Sequence, residues 1–417
     1  MIKATAPMHL QNLSRFGSPI KPLETHPVVT NLGMDKIGLY VHWPYCSRIC
    51  PYCDFNIYKN KSENEEALIE AILVDMRYWR EQSGARELVS IHFGGGTPSL
   101  LSAKNLKRII SLAQELWTAT TDLEIGMEAN PNNVSVENLL EWRGAGIERV
   151  SIGVQSFHSD VLKFLGRDHD GQQARGAIEE AVKIMPRVSA DLIYGWTLDG
   201  TRQSCANWQE DLDAVLALGV THISAYQLTI EKDTAFGYAT RRGIEKAVDN
   251  DLSADLYELG LDVLTKAGFT QYEVSNFART DAARSRHNRV YWQGLDYIGV
   301  GPGAHGRLTN DGVRTATICA LKPDTYREHV AEHGHGMDVC DVLSGEDWGQ
   351  EYLLMGLRIT EGISLARYQE LSGTQLNADT LNTYIDAGLL QLENDTLRAT
   401  PSGRLVLDRL SHELLLG

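Results

Sequence analysis

The sequence predicts an α/β protein, a parallel sheet with helices packed on it, followed by a smaller helical module. Three observations predict this. Short runs of strand-like residues alternate with longer stretches of helical period between residues 37 and 226. The runs are nearly continuous in apolar character, as expected of strands covered on both faces. From about residue 345 the alternation stops, and short helical segments with one hairpin signal replace it.

In chain order, residues 1 to about 36 read as an irregular leader carrying Pro7, Pro19, Pro22 and Pro27. The predicted strands are "IGLYVH" (37–42), "LVSIHF" (88–93), "LEIGME" (123–128), "RVSIGV" (149–154), "VSADLI" (188–193) and "THISAY" (221–226). A seventh is "TQYEV" (270–274). Between the first two, "NEEALIEAILVDMRYW" sets Leu68, Ile72 and Met76 on one helical face, with Trp79 a turn further on. These units make a core over 37–305, a connector over 306–345 and a C-terminal, winged-helix-like module over 346–417 that turns a hairpin at Asn394–Asp395. Six such units fit either part of a barrel or an open doubly wound sheet.

A length of 417 residues suits one large domain with a smaller one. A net charge of −16 and no long basic run argue against nucleic acid as a partner. No run reaches the roughly 18 apolar residues of a membrane span, and the N-terminus lacks the apolar core of a secretory signal. A cytoplasmic, reducing setting is expected. Six cysteines in so long a chain do not suggest a disulfide framework. Cys205, Cys319 and Cys340 are scattered and read as single buried thiols.

The other three stand together in "CSRICPYCDF", as C-x3-C-x2-C at Cys46, Cys50 and Cys53. A structural zinc site wants four ligands, usually as two pairs, and there is no second CxxC. A 4Fe–4S cluster on three thiolates explains the spacing better and leaves one iron open to a small molecule. The cysteines follow the first predicted strand, on the edge where parallel α/β sheets bind ligands. "FGGGTPSL" ends the second strand with Gly94, Gly95 and Gly96. It is neither a Walker loop nor a dinucleotide fingerprint. Such a run lets backbone approach a ligand closely, though a tight turn would use it too. Glu128 and Gln155 close the next two strands on the same edge.

Together these motifs resemble the radical S-adenosylmethionine superfamily. "YVHWPYCSRICPYCDFN", "GGGTPSLL", "EANP", "RVSIGVQSF", "LGRDH", "DLIYG", "YEVSNFA" and "HNRVYW" resemble its HemN/HemW branch from about Gly38 to Arg307. The C-terminal module resembles that branch's as well. The resemblance implies a partial (β/α)6 barrel of the radical S-adenosylmethionine type. In it Cys46, Cys50 and Cys53 hold a 4Fe–4S cluster whose open iron takes S-adenosylmethionine. It also implies cofactor contacts from Tyr40, from Tyr52 against the adenine, and from Gly95, Gly96 and Thr97 at the methionine moiety. Glu128, Gln155, Arg167 and Asp191 match further polar contacts.

The branch divides after the third cysteine. Its coproporphyrinogen dehydrogenases carry another cysteine two residues on, and a longer N-terminal segment. Here that position is Phe55 and the leader is short. Both features resemble the haem-chaperone members, which implies haem binding and delivery to haem-requiring respiratory enzymes. Coproporphyrinogen III dehydrogenation, or a related radical methyltransferase or haem-degrading activity, is the alternative. HNxxYW resembles the branch's haem-binding segment, with His287 as ligand, Tyr291 and Trp292 against the porphyrin, and Arg284, Arg286 and Arg289 near its propionates. Core packing and a solvated arginine strip would give the same pattern, and His42 and His305 are the next candidates. Two departures stand out: Trp196–Thr197 where the family commonly reads Leu-Pro, and Ser285 where a cysteine often precedes HN. The resemblance further implies an electron donor if S-adenosylmethionine is cleaved, a cluster-dependent homodimer, and membrane contact only through recipients.

Overall fold

In the computed structural model, residues 35–59 and 65–416 are described, so nearly all of the predicted leader lies outside them. Strands β1 (Lys36–Trp43), β2 (Glu87–Gly95), β3 (Thr118–Ala129), β4 (Arg149–Gln155), β5 (Arg187–Tyr194) and β6 (His222–Gln227) lie side by side in chain order. Each is parallel to the next. A doubly wound sheet reverses its strand order at a switch point. Within these six the order never reverses, so they form the arc of a partial (β/α)6 barrel.

Between successive strands run α1 (Glu65–Ser83), α2 (Ala103–Leu116), α3 (Val136–Ala145), α4 (Gly171–Ile184) and α5 (Cys205–Leu216), and α6 (Asn250–Lys266) follows β6. The predicted stripe of α1 is real: Leu68, Ile72, Met76 and Trp79 are buried in a core with Ile37, Leu39 and Val41 of β1. The strand runs are less uniformly apolar than expected. Alternate residues turn a second, polar face inward, including His42, His92, Glu124, Ser151, Asp191 and His222, all buried. A sheet sandwiched between helices would have no use for that face; a barrel lumen does.

Residues Thr270–Glu273 form β7, which is antiparallel and makes an edge hairpin with β8 (Asn276–Ala278) beyond β6. Helix α7 (Arg286–Trp292) then enters the barrel. On the far side β9 (Asp296–Val300) pairs parallel to β1. Antiparallel strands β10 (His305–Asn310), β11 (Val313–Cys319) and β12 (Met337–Val342), with α8 (Pro323–His333), extend that flank. The stretch expected as a connector therefore carries sheet. Its Leu308, Cys319, Tyr326 and Val330 join the main core.

A separate core of Leu353, Leu357, Ile363, Leu390, Leu397 and Leu410 follows. It is built on α9 (Gly345–Gly356) and a small sheet of β13 (Ile363–Ser364), β14 (Leu390–Glu393) and β15 (Thr396–Ala399). The β14–β15 hairpin turns at Asn394, whose φ of 55° is a value asparagine tolerates. One expectation fails. Cys319 is buried, but Cys205 and Cys340 are exposed. Cys205 opens a surface helix, and Cys340 lies on the outermost strand, most of whose residues face solvent.

Candidate cofactor site

The chain leaves β1, makes a two-residue parallel pairing of Tyr45–Cys46 with Tyr58–Lys59, and loops between them through Cys50 and Cys53. The turn closes with Cys53 N–H donating to the Cys50 carbonyl at 3.2 Å. All three cysteines line one open cavity. Gly95, Gly96 and Thr97 at the end of β2 form a second wall, and Tyr52 and Arg167 are also at the lining.

The glycine run is used for close approach to the chain's own backbone. Gly96 N–H donates to the Trp43 carbonyl at 2.7 Å and Thr97 N–H to that of Tyr45 at 2.9 Å. A Cβ on Gly96 would stand 2.7 Å from the Tyr45 carbonyl oxygen. Any side chain at 96 would thus push on the residue before Cys46, so a valine there would disturb the cysteine loop as well as a ligand.

Burial pushes the Cys53 thiol up to about 12. Burial also raises Cys46, against a hydrogen bond from Thr97 that partly offsets it. Thiols in such a place ionise when a metal centre supplies the opposing charge. Arg167 sits beside them, with Nη1 3.6 Å from Cys50 Sγ and Nη2 donating to the Gly153 carbonyl at 2.9 Å. Among the described residues its Nε has no partner, nor has Glu128 Oε2, nor either amide atom of the fully buried Gln155. Gln155 also holds a φ of 68°, a conformation uncommon outside glycine. Buried polar atoms without partners are costly, and these four suit a polar ligand. The donor set and the hollow between the cysteines fit a 4Fe–4S cluster with S-adenosylmethionine.

The remaining predicted contacts are placed differently. Tyr40, Glu128, Gln155 and Asp191 stand in the lumen rather than at the cavity lining. Both Asp191 oxygens accept from Ser151 Oγ at 3.0 Å, and burial raises its carboxyl. Tyr52 packs toward Phe236, ring centres 6.4 Å apart, beside a patch containing Trp196. The Trp196 departure is therefore a packing residue under the cofactor wall. Asn130 and Asp168 also line the cavity, joined by a hydrogen bond from Asn130 Nδ2 to Asp168 Oδ1 at 3.0 Å. Both sit in the motifs "EANP" and "LGRDH", whose predicted contacts are Glu128 and Arg167.

His287 is not on this cavity. It lies on α7, 4% exposed, its ring stacked on His92 at 4.1 Å between centres and 9° between planes. Tyr40 stacks near it at 5.9 Å and Tyr291 meets it edge-on at 4.8 Å. Among the described residues neither His287 Nδ1 nor the Tyr291 hydroxyl has a partner. Trp292 is buried with Tyr272, Ala283 and Ile359. The arginines are already engaged: Arg284 with Asp281 and Glu361, Arg286 with Asp122, Arg289 with Glu361. Ser285 caps α7 by accepting from Asn288 N–H at 3.2 Å, a task cysteine would do poorly. His305 begins β10 and His42 lies in the lumen beside Tyr40.

A partial barrel with three cysteines after its first strand and a glycine wall after its second defines a radical S-adenosylmethionine protein. The Radical SAM superfamily pattern matches residues 40–202, and the HemN C-terminal domain matches residues 343–406. The chain is 38% identical over 397 residues to the Radical S-adenosyl methionine domain-containing protein 1, mitochondrial, of Bos taurus, covering 92% of this chain and 88% of that one. It is 32% identical to the Heme chaperone HemW of Bacillus subtilis, covering 88% of this chain and 96% of that one. The corresponding protein of Mycobacterium tuberculosis is 34% identical, at 91% and 94% coverage. Among solved structures, the coproporphyrinogen III oxidase HemN of Escherichia coli superposes with a TM-score of 0.74 at 21% identity, covering 91% of this chain and 89% of that one, a likeness of fold. The chain belongs to the HemW family of radical S-adenosylmethionine proteins. Membership implies a 4Fe–4S cluster and S-adenosylmethionine. Among the described residues, no helix is long and apolar enough to cross a membrane.

Proposed function

We propose that this protein is a haem chaperone: it binds haem and passes it to haem-requiring enzymes, respiratory ones among them. The observation that carries this reading is the similarity to proteins named Heme chaperone HemW at 32–34% identity over about nine-tenths of the chain. Phe55 supports it, since it stands where the dehydrogenases of the branch carry their further cysteine. Coproporphyrinogen oxidation has the fold likeness to HemN behind it, at an identity too low to carry an activity.

Cys46, Cys50 and Cys53 would hold the cluster, which when bound supplies one-electron chemistry at the sulfonium of S-adenosylmethionine. This chain's part is placement. Gly95, Gly96 and Thr97 shape the wall, and the unpartnered atoms of Glu128, Gln155 and Arg167 receive the cofactor's polar groups. Tyr40 and Asp191 contribute from the lumen, and Tyr52 covers the adenine. We place the haem iron at His287, with Tyr291 and Trp292 beside it. The ring is buried among aromatic neighbours, so haem access requires α7 to shift outward. An electron donor, a cluster-dependent homodimer, a cytoplasmic setting and membrane contact only through recipients complete the reading.

The test is anaerobic reconstitution of the full chain, followed by haem titration and a coproporphyrinogen turnover assay. Replacing Cys46, Cys50 or Cys53 with serine should abolish iron uptake, because a hydroxyl is a poor ligand for iron–sulfur chemistry. Cys205→Ser and Cys340→Ser should leave it unchanged. His287→Ala should keep the cluster and lose most of its Soret absorbance after desalting. Conversion of coproporphyrinogen to protoporphyrinogen would overturn the chaperone reading, and unchanged haem retention in His287→Ala would remove that ligand.

A further inference from the structure

We propose that His42 and Asn56 form a positioning node that fixes the cysteine loop between barrel and antiparallel flank, and so sets how S-adenosylmethionine meets the cluster. The inference rests on the cluster reading and adds two residues to it.

Asn56 follows Cys53 by three positions. Its side-chain nitrogen donates to the Pro302 carbonyl at 2.9 Å and to the Leu321 carbonyl at 2.8 Å. Its side-chain oxygen accepts from the Tyr58 hydroxyl at 3.3 Å. Pro302 lies in the turn between β9 and β10, and Leu321 just beyond β11. One amide therefore joins the cysteine loop to two turns of the flank, the farther 265 residues away in sequence.

The backbone of the same residue is held from the barrel side. His42 Nε2 lies 2.9 Å from the Asn56 carbonyl, and the Tyr40 hydroxyl lies 3.0 Å from His42 Nδ1. A carbonyl only accepts, so Nε2 carries the proton and Nδ1 accepts from Tyr40. Burial lowers the imidazole's pKa and favours this neutral form. Space around the pair is cut to shape. A Cβ on Gly303 would stand 2.5 Å from Asn56 Nδ2, and one on Gly95 2.6 Å from His42 Cε1.

The loop is thus tied at both ends: at Cys46 by its pairing with Lys59, and after Cys53 by Asn56. Partners that orient a metal's ligands without touching the metal commonly change affinity or activity by about 10- to 100-fold. His42 and Asn56 stand in that relation to Cys53 and to the glycine wall.

The full chain, reconstituted anaerobically with iron and sulfide, provides the test. Asn56→Asp keeps the shape but sets a carboxylate against two carbonyls. His42→Leu removes the donor, whereas the amide nitrogen of His42→Gln restores one near the Nε2 position. Iron per chain, the electron paramagnetic resonance signal of the reduced cluster with and without S-adenosylmethionine, and calorimetric affinity are read in parallel. Wild type and His42→Gln should load cluster and respond to S-adenosylmethionine alike. Asn56→Asp and His42→Leu, with unchanged circular dichroism, should bind it about tenfold or more weakly and lose most of the spectral response. Full affinity and response in Asn56→Asp and His42→Leu, or damage in His42→Gln equal to that in His42→Leu, overturns the node alone. A wild-type chain that takes up no cluster overturns the cluster reading and this one with it.

Discussion

Glu124 and Asp75 are both fully buried carboxylates, and their neighbours send their charge in opposite directions. Burial pushes Glu124 up, but Arg149, Arg187 and the N–H groups of His287 and Arg286 outweigh it, so its pKa falls below the usual range. Asp75 has no cation among its partners in the described residues. Burial raises it to about 7, against a hydrogen bond from the Tyr326 hydroxyl at 2.6 Å. The unfolded chain holds such a carboxyl near ~4. Between those values the folded state binds more protons than the unfolded one, so this group's contribution is full below ~4 and lost as pH rises through about 7. Asp75→Asn should therefore gain on wild type by roughly 2–3 kcal/mol between pH 5 and pH 8, read from urea midpoints at the two pH values. A constant difference across that range would mean Asp75 is ionised throughout. Nothing local marks Asp75: in sequence it is a polar residue next to the Leu68–Ile72–Met76 stripe, and only Tyr326, 251 residues on, shows that it faces inward.

Helix α7 closes the barrel end opposite the cysteine loop, and one carboxylate anchors it. Glu124 accepts from Arg286 N–H at 3.1 Å and His287 N–H at 3.0 Å while pairing with Arg187 at 2.8 Å. Glu124→Ala would leave Arg187 without its buried partner and the first turn of α7 without its acceptor. A loss of roughly 3–5 kcal/mol is expected in urea unfolding. Hydrogen exchange should accelerate in 285–292 ahead of the sheet; an α7 that exchanges no faster than in wild type would show that Trp292 packing alone holds it. The motif "HNRVYW" was legible as a functional signature, but its place under the lumen was not. Seven residues are too few for a periodic signal, and the anchor lies 163 residues earlier.

Barrel and C-terminal module keep separate cores, yet their contact is built on buried charge. Glu273 of β7 is fully buried and takes Arg358 Nη2 at 2.6 Å and Nε at 2.9 Å. Glu273 also bridges to Ile359 in strand fashion. Arg307 and Glu351 form a second pair across the contact. Arg358→Met would strand the Glu273 charge, at a cost of roughly 3–5 kcal/mol. Because that cost falls on the contact, the module should loosen before the barrel melts. Limited proteolysis with mass spectrometry should then find new cleavage between β12 and α9. An unchanged digestion pattern would show that the remaining pairs suffice to hold the module.

What the sequence by itself determined is what neighbours in the chain can encode. The β–α alternation, the buried stripe of α1, the C-x3-C-x2-C spacing, the glycine wall and the change of texture near 345 all rest on periods and offsets of a few residues. Tertiary structure decided the rest. Consecutive strand order chose the barrel over the doubly wound sheet and turned the polar residues of alternating strands into a lumen. Packing carried 306–345 into the main sheet, set His287 against His92 rather than on the cofactor cavity, and left Cys205 and Cys340 at the surface. It also brought Asn56 to Leu321 and Glu124 to His287. The physical reason is that hydrophobic period is a short-range property of the chain, whereas the partner of a buried polar group is fixed by which elements meet, and that is settled only when the whole sheet closes around them.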